Sequence, residues 1–196
     1  MRGIVKMWSV TTVWMLVSLI AVGSVFAGGA QEAAPAEERD TLTIGIGAEP
    51  ESLDPVNMTS APAATVGEHV VERLIYMEED GSLTPMLATS WEANDDSTVW
   101  TFQIREGVTF HDGEPLNAEA VAVNLRRFVD PDVGAAYAFL LGTVESIEAT
   151  GEYELTMELS QPFAPILAHL SHSFIGIVSP AQLEGLGPND TFEIPI

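Results

Sequence analysis

Cysteine is absent from the 196 residues. That excludes a disulfide framework, a Cys-ligated zinc or iron–sulfur site, a thiol nucleophile and a lipid anchor on an N-terminal cysteine. Basic residues are almost as scarce. Lys+Arg number 7 against 29 Asp+Glu, giving a formal net charge of -22 and a pI near 4.1. This balance excludes nucleic-acid binding, because neutralising phosphates needs clustered Lys and Arg. No repeat of solenoid type recurs. Neither a Gly-x-Ser-x-Gly elbow nor a His-Glu-x-x-His pattern occurs, so serine hydrolase and zinc peptidase chemistry lack support. Gly45-x-Gly47 lacks a third glycine and runs into Pro50, so it is not a dinucleotide fingerprint. What is present is apolar: 46% hydrophobic residues, enough for a core within one domain or two small ones.

The chain begins with an address. Arg2 and Lys6 are the only charges before Glu32, and residues 7–26 are almost continuously apolar. Val25-Phe26-Ala27 offers the small or aliphatic residues that a signal peptidase reads. A basic start, apolar middle and small-residue exit predict a cleaved signal peptide over residues 1–27. The competing reading, a membrane anchor, is opposed by the Gly23-Ser24 break. Residues 28–40, rich in Gly, Ala, Pro and Glu, read as a flexible acidic linker. Beyond Ala27 the chain keeps five arginines and no lysine against 29 acidic residues, a net of -24. Such an excess maintains solubility and repels acidic partners; a cationic solute is an alternative use.

Residues 41–196 read as one folded unit. Thr41 to Gly47 alternates as a strand, and the Glu49-Pro50 and Asp54-Pro55 pairs mark a loop. Apolar spacing predicts a helix over residues 65–76. A turn follows at residues 79–82, a short extended piece around Pro85, and a strand over 87–93 with Trp91 as a core aromatic. Asn94 to Ser97 turns the chain into a second strand, residues 99–105, with Trp100, Phe102 and Ile104 on one face. His111-Asp112-Gly113 is a tight turn. Asn117 caps a helix over 118–129 with Val121, Leu125 and Phe128 inward. Residues 143–150 and 153–159 are strands joined at Gly151, the second alternating without fault. A short helix ends at Leu170, residues 174–178 are strand-like, and a helix starts at Pro180. Antiparallel hairpins with scattered helices predict a mixed α/β, or α+β, fold.

Four histidines are present: His69, His111, His169 and His172. His169 and His172 stand at i, i+3, but no third metal ligand accompanies them. Carboxylates are so abundant that any pair is weak evidence for glycosidase chemistry.

The longest ordered pattern is Leu87-Ala88-Thr89-Ser90-Trp91, the Asp95-Asp96 turn, Trp100 through Gly113, and Pro115-Leu116-Asn117-Ala118-Glu119-Ala120-Val121. Glu49-Pro50-x-x-Leu53-Asp54-Pro55 and Asp80-Gly81-Ser82-Leu83-Thr84-Pro85 precede it in register. Together these segments resemble the extracytoplasmic solute-binding proteins of the peptide/nickel class of ABC importers, solute-binding family 5. The resemblance implies the first lobe of a two-lobed, type II-like periplasmic binding fold with hairpins in an inserted subdomain. The second lobe, which members build after a Gly-Thr-Gly-Pro-Tyr segment, is then missing beyond Pro195-Ile196. It further implies a monomer that captures a peptide or similar small solute, with a nickel complex as another option, and delivers it to ABC permease subunits. No cofactor and no catalysis are expected. Trp91, Trp100, Arg105, Gly107, Phe110, Asp112 and Gly113 then serve the scaffold. Ligand contacts are expected at Asn57, Met58, Thr59, Tyr137, Phe139, His172, Ser173 and Phe174. A secreted hydrolase of peptides or glycans, and a truncated non-functional product, are the alternative readings.

Overall fold

In a computed structural model of the chain, residues 41–186 are described. The expected signal peptide, linker and last ten residues lie outside that range. The chain divides into two units, Met1–Ile44 and Gly45–Ile196. Of the first, only residues 41–44 are described, and they form no strand, contrary to the alternation of residues 41–47. Leu42, Ile44 and Ile46 are exposed. Alternation selects which side chains share a face, but a strand also needs a hydrogen-bonded neighbour, and this segment has no ladder.

The second unit is centred on a four-stranded antiparallel sheet. Its strands are β3 (Ala88–Ala93), β4 (Val99–Ile104), β5 (Val144–Ala149) and β6 (Glu154–Leu159), in the order β3-β4-β6-β5. Trp100 faces Met157 and Phe102 faces Leu155 across the β4–β6 ladder. These four side chains, with Ile104, Ile147 and Leu159, are buried. The sheet's other face carries Thr101, Gln103, Thr156 and Glu158, so the period-2 pattern divides core from solvent. The β3–β4 turn holds Ser97 in the left-handed region at φ 58. There the Asn94 side chain accepts from the Thr98 and Val99 amides at 2.9 and 3.0 Å.

The helix over Ala118–Val129 covers the buried face along β5 and β6. Asn117 caps it as expected, its side chain accepting from the Ala120 amide at 2.8 Å. Glu119 in the first turn and Arg126 and Arg127 in the last complement the helix dipole. Val121, Leu125 and Phe128 are buried. Truncating a buried leucine such as Leu125 to alanine costs about 2–5 kcal/mol.

Between residues 61 and 77 the structure departs from expectation. The helix is Ala61–Gly67, and Ile75–Met77 is a strand, β1, paired with β2 (Leu83–Pro85). Ser60 caps the helix and Pro62 sits in its first turn, which sets the start earlier than apolar spacing suggests. The helix stops where Gly67 lies against Met58; a Cβ there would stand 3.0 Å from the Met58 sulfur. Val70, Val71 and Ile75 mimic a helical face, but Val70 sits in the turn that follows Gly67, and the β-branched Ile75 suits the strand it adopts. The β1–β2 turn uses Gly81 at φ 82. These two helices are α1 (Ala61–Gly67) and α2 (Ala118–Val129), followed by α3 (Ile166–Leu170) and α4 (Pro180–Leu183). The predicted strand at residues 174–178 is only an isolated bridge between Ile177 and Glu72. Its other edge is taken by a side chain: Asn124 of α2 donates to the Val178 carbonyl at 2.8 Å and accepts from its amide at 3.1 Å.

The motif residues occupy the framework. Trp91 is half-buried against the core, Trp100 is buried, and the Arg105 amide donates to the Leu87 carbonyl at 2.8 Å. Gly107 and Gly113 adopt φ 74 and 91, a region that disfavours a Cβ. Phe110 rests on the core beside that turn. The Asp112 carboxylate accepts from the Ser179 hydroxyl and, at 3.0 Å, from the Glu114 amide. Those bonds lower its pKa, the Ser179 contact most. Ser179 is in turn the cap of α4, so one carboxylate joins the turn to the start of that helix.

Candidate functional site

Three loops converge beside α2. The first, residues 54–59, opens with Asp54, whose side chain accepts from the Val56 amide at 3.3 Å and starts a 3-10 turn over Pro55–Asn57. Arg127 binds the same carboxylate with two 2.8 Å hydrogen bonds. The second loop, residues 135–139, is held to the first by the Ala136 amide, which donates to the Val56 carbonyl at 2.9 Å. The third, residues 171–176, approaches so closely that a Cβ on Gly176 would lie 2.6 Å from Val71 Cγ2 and 3.4 Å from Pro55 Cγ.

Aromatic rings meet at this junction. Tyr137 lies 4.7 Å from Phe174, 5.4 Å from His172 and 5.7 Å from Phe139, centroid to centroid. The His172 pair is stacked at 30° between planes. His172 and Phe174 are 5.0 Å apart. Met58 and Ala63 are fully buried beneath Phe174. Phe139 is 70% exposed and forms the open edge of the group. Six of the eight residues expected at the ligand therefore belong to, or flank, one cluster: Met58, Tyr137, Phe139, His172, Ser173 and Phe174. Met58 is its floor and not its surface. Asn57 is half-buried on the first loop. Thr59 is exposed, but its hydroxyl is already engaged, donating to Glu51 at 2.8 Å.

Glu51 also accepts from the Ser60 hydroxyl and, at 2.9 Å, from the Ser60 amide. These bonds, the Ser60 contact foremost, lower its pKa from 4.5 to about 2. His172 is shifted down from 6.5, first by burial, then by its electrostatic interaction with Arg73 and His169. Sequence reasoning passed over Arg73. It is buried, pairs with Glu68 at 3.3 Å and lies 5.3 Å from the Tyr76 ring centroid. Its signal was available as an arginine within an apolar stretch. Asn124 and Gly176, which position the third loop, carry no comparable mark.

The two histidines of the i, i+3 pair part company. His169 donates from Nδ1 to the Leu140 carbonyl at 2.6 Å and meets Phe163 edge-on. Among the described residues no group of three or more His, Asp or Glu is arranged to hold a metal ion. What the cluster offers is a stacking surface, one imidazole and nearby hydroxyls, the equipment of a binding site for a flat or apolar group.

Comparison with solved structures identifies the fold as that of the periplasmic binding proteins. The chain is similar to Haemophilus influenzae OppA, crystallised with the peptide RPPGFSPFR (TM-score 0.66, 28% identity, 72% of this chain and 31% of that one). It is also similar to NikA from Brucella suis in complex with Fe(III)-EDTA (TM-score 0.64, 30% identity, 73% and 29%). Residues 82–196 match the model of the bacterial extracellular solute-binding proteins, family 5 Middle, and the chain belongs to that family. Among curated proteins it is 35% identical over 157 residues to the probable D,D-dipeptide-binding periplasmic protein DdpA of Escherichia coli K12. That match covers 78% of this chain and 30% of DdpA, so the chain spans about three tenths of that relative's length.

Proposed function

We propose that this chain is part of an extracytoplasmic solute-binding protein that captures a peptide or similar small solute and hands it to an ABC permease. In this reading the protein is exported by a signal peptide cleaved after Ala27, acts outside the cytoplasmic membrane as a monomer, and performs no catalysis. Residues 28–40 tether the lobe that begins near Thr41. The observation that carries the reading is the ring cluster of Tyr137, Phe139, His172 and Phe174, mounted on loops over a rigid sheet-and-helix frame. The exposed Phe139 ring, backed by the half-buried Tyr137 and His172 on anchored loops, suits reversible capture, because it buries area without reorganising the frame. Membership of the solute-binding family adds to this. The dipeptide-binding relative and the peptide complex of OppA support a peptide as the solute, and the likeness to NikA makes a chelated metal the second class for the test.

The test is calorimetric titration of the chain with trialanine, D-alanyl-D-alanine and nickel–histidine, followed by mass analysis of the recovered solute. Saturable binding of a peptide, returned intact, supports the proposal. Cleavage of the peptide makes the protein a hydrolase and overturns it. Binding of nickel–histidine alone overturns the peptide class. N-terminal sequencing of the exported protein checks cleavage after Ala27.

A further inference from the structure

His172 has a fixed tautomer. The Phe174 amide donates to its Nδ1 at 3.3 Å. A backbone N–H can only donate, so Nδ1 carries the lone pair and the ring proton resides on Nε2. His169 is the opposite case, because its Nδ1 faces a carbonyl and must carry the proton. The His172 ring is half-buried and stacked on Tyr137. Nδ1 is its only ring atom with a hydrogen-bond partner among the described residues. A ring fixed on one edge and stacked on one face has its remaining donor aimed in a set direction.

We propose that His172 determines specificity by donating from Nε2–H to a carbonyl or carboxylate oxygen of the bound solute, while the solute's flat or apolar part lies on the Tyr137–Phe139 rings. This deepens the peptide-capture reading and rests on it. The charges that face His172 reinforce the arrangement. Arg73, in the segment before β1, and His169, on α3, both oppose a second proton on the ring, as does its burial. Arg73 is itself paired with Glu68 at 3.3 Å. Protonation of Nδ1 would abolish the acceptor that holds the Phe174 amide and place two donors edge to edge.

The experiment has two parts on the full chain. Nitrogen-15 NMR of the histidine rings reads the tautomer without any ligand, and the expected result is Nε2–H for His172 and Nδ1–H for His169. Titration with trialanine, and separately with trialanine amide, then compares wild type, H172Q and H172F. Gln keeps a donor near the Nε2 position, and Phe keeps the stacking alone. H172F is expected to bind about five- to tenfold more weakly, the worth of one hydrogen bond. H172Q should remain within about twofold of wild type on the same basis. A loss confined to the free acid identifies the terminal carboxylate as the acceptor, and an equal loss for both ligands identifies a backbone carbonyl. An Nδ1–H tautomer at His172, or equal binding by wild type and H172F, overturns the donor role alone. No binding of either ligand by wild type overturns the peptide reading and this role together.

Discussion

Asp54 and Arg127 are joined by two hydrogen bonds of 2.8 Å across 73 residues of sequence, with the carboxylate wholly buried. The pair ties the first loop of the ring cluster to the last turn of α2. Because both groups have left water, removing one partner strands the other. R127M is expected to destabilise the chain by about 3–5 kcal/mol. The double variant D54L/R127M should recover much of that loss, since a hydrophobic pair can replace a buried ion pair at little cost. Urea unfolding of the four-member cycle measures the coupling. An R127M chain as stable as wild type would show that the bond does not hold the loop.

Gly176 is a contact that tolerates no side chain. Its virtual Cβ meets Val71 at 2.6 Å, far inside van der Waals distance. G176A should cost about 1–3 kcal/mol through overpacking. Shortening the opposing residue as well, in G176A/V71A, should restore part of the loss. Thermal melts of the two variants decide between crowding at Val71 and a general intolerance of the loop.

His172 makes stability depend on pH. Its folded pKa lies below the ordinary 6.5. As pH falls below 6.5, the unfolded chain takes up the proton before the folded one does. Its contribution is therefore complete above about pH 6.5 and declines as pH falls towards the folded pKa. H172F should flatten the slope of stability against pH below about 6.5. Chemical denaturation at several pH values checks it, and an unchanged slope would assign the effect to another group.

Glu51 acts in a more acidic window. With a pKa lowered from 4.5 to about 2, its carboxylate remains charged where ordinary glutamates have taken up a proton. The start of α1, which it holds through Thr59 and Ser60, should persist as pH falls from 4.5 and loosen only near 2. Amide exchange at Thr59 and Ser60 reads this directly. In E51Q, protection of those amides should already be reduced at neutral pH.

The frame was legible in the sequence wherever one periodicity dominated. The alternation of residues 153–159 and the Asn117 cap with its inward Val121, Leu125 and Phe128 each admit one structure. The stretch 65–76 does not, because Val70, Val71, Leu74 and Ile75 satisfy helical spacing while the β-branched members of the set, Val70, Val71 and Ile75, also suit extended chain. The turn after Gly67 decides the matter: the Val70 and Val71 amides both bond back to the Gly67 carbonyl, at 2.9 and 2.8 Å. Residues 41–47 and 174–178 fail differently: their pattern is strand-like, but pairing requires a neighbour that a pattern cannot supply. The ring cluster was reached through family resemblance. Its supports, Arg73, Asn124 and Gly176, emerge only when distant segments are brought into contact.

The strand order has a consequence for how the chain assembles. β3–β4 and β5–β6 are each local hairpins, but the central ladder joins Gln103 to Glu154 across 51 residues. Closing a loop of that length costs roughly 3–4 kcal/mol of chain entropy before any ladder bond repays it. Until that happens, Trp100 and Phe102 on one hairpin and Leu155 and Met157 on the other present bare apolar faces. The two hairpins are therefore expected to form before the ladder that unites them, which stopped-flow refolding of W100F against wild type would test. Until the halves unite, those faces are open to wrong partners, and a chain caught in that interval is prone to aggregate.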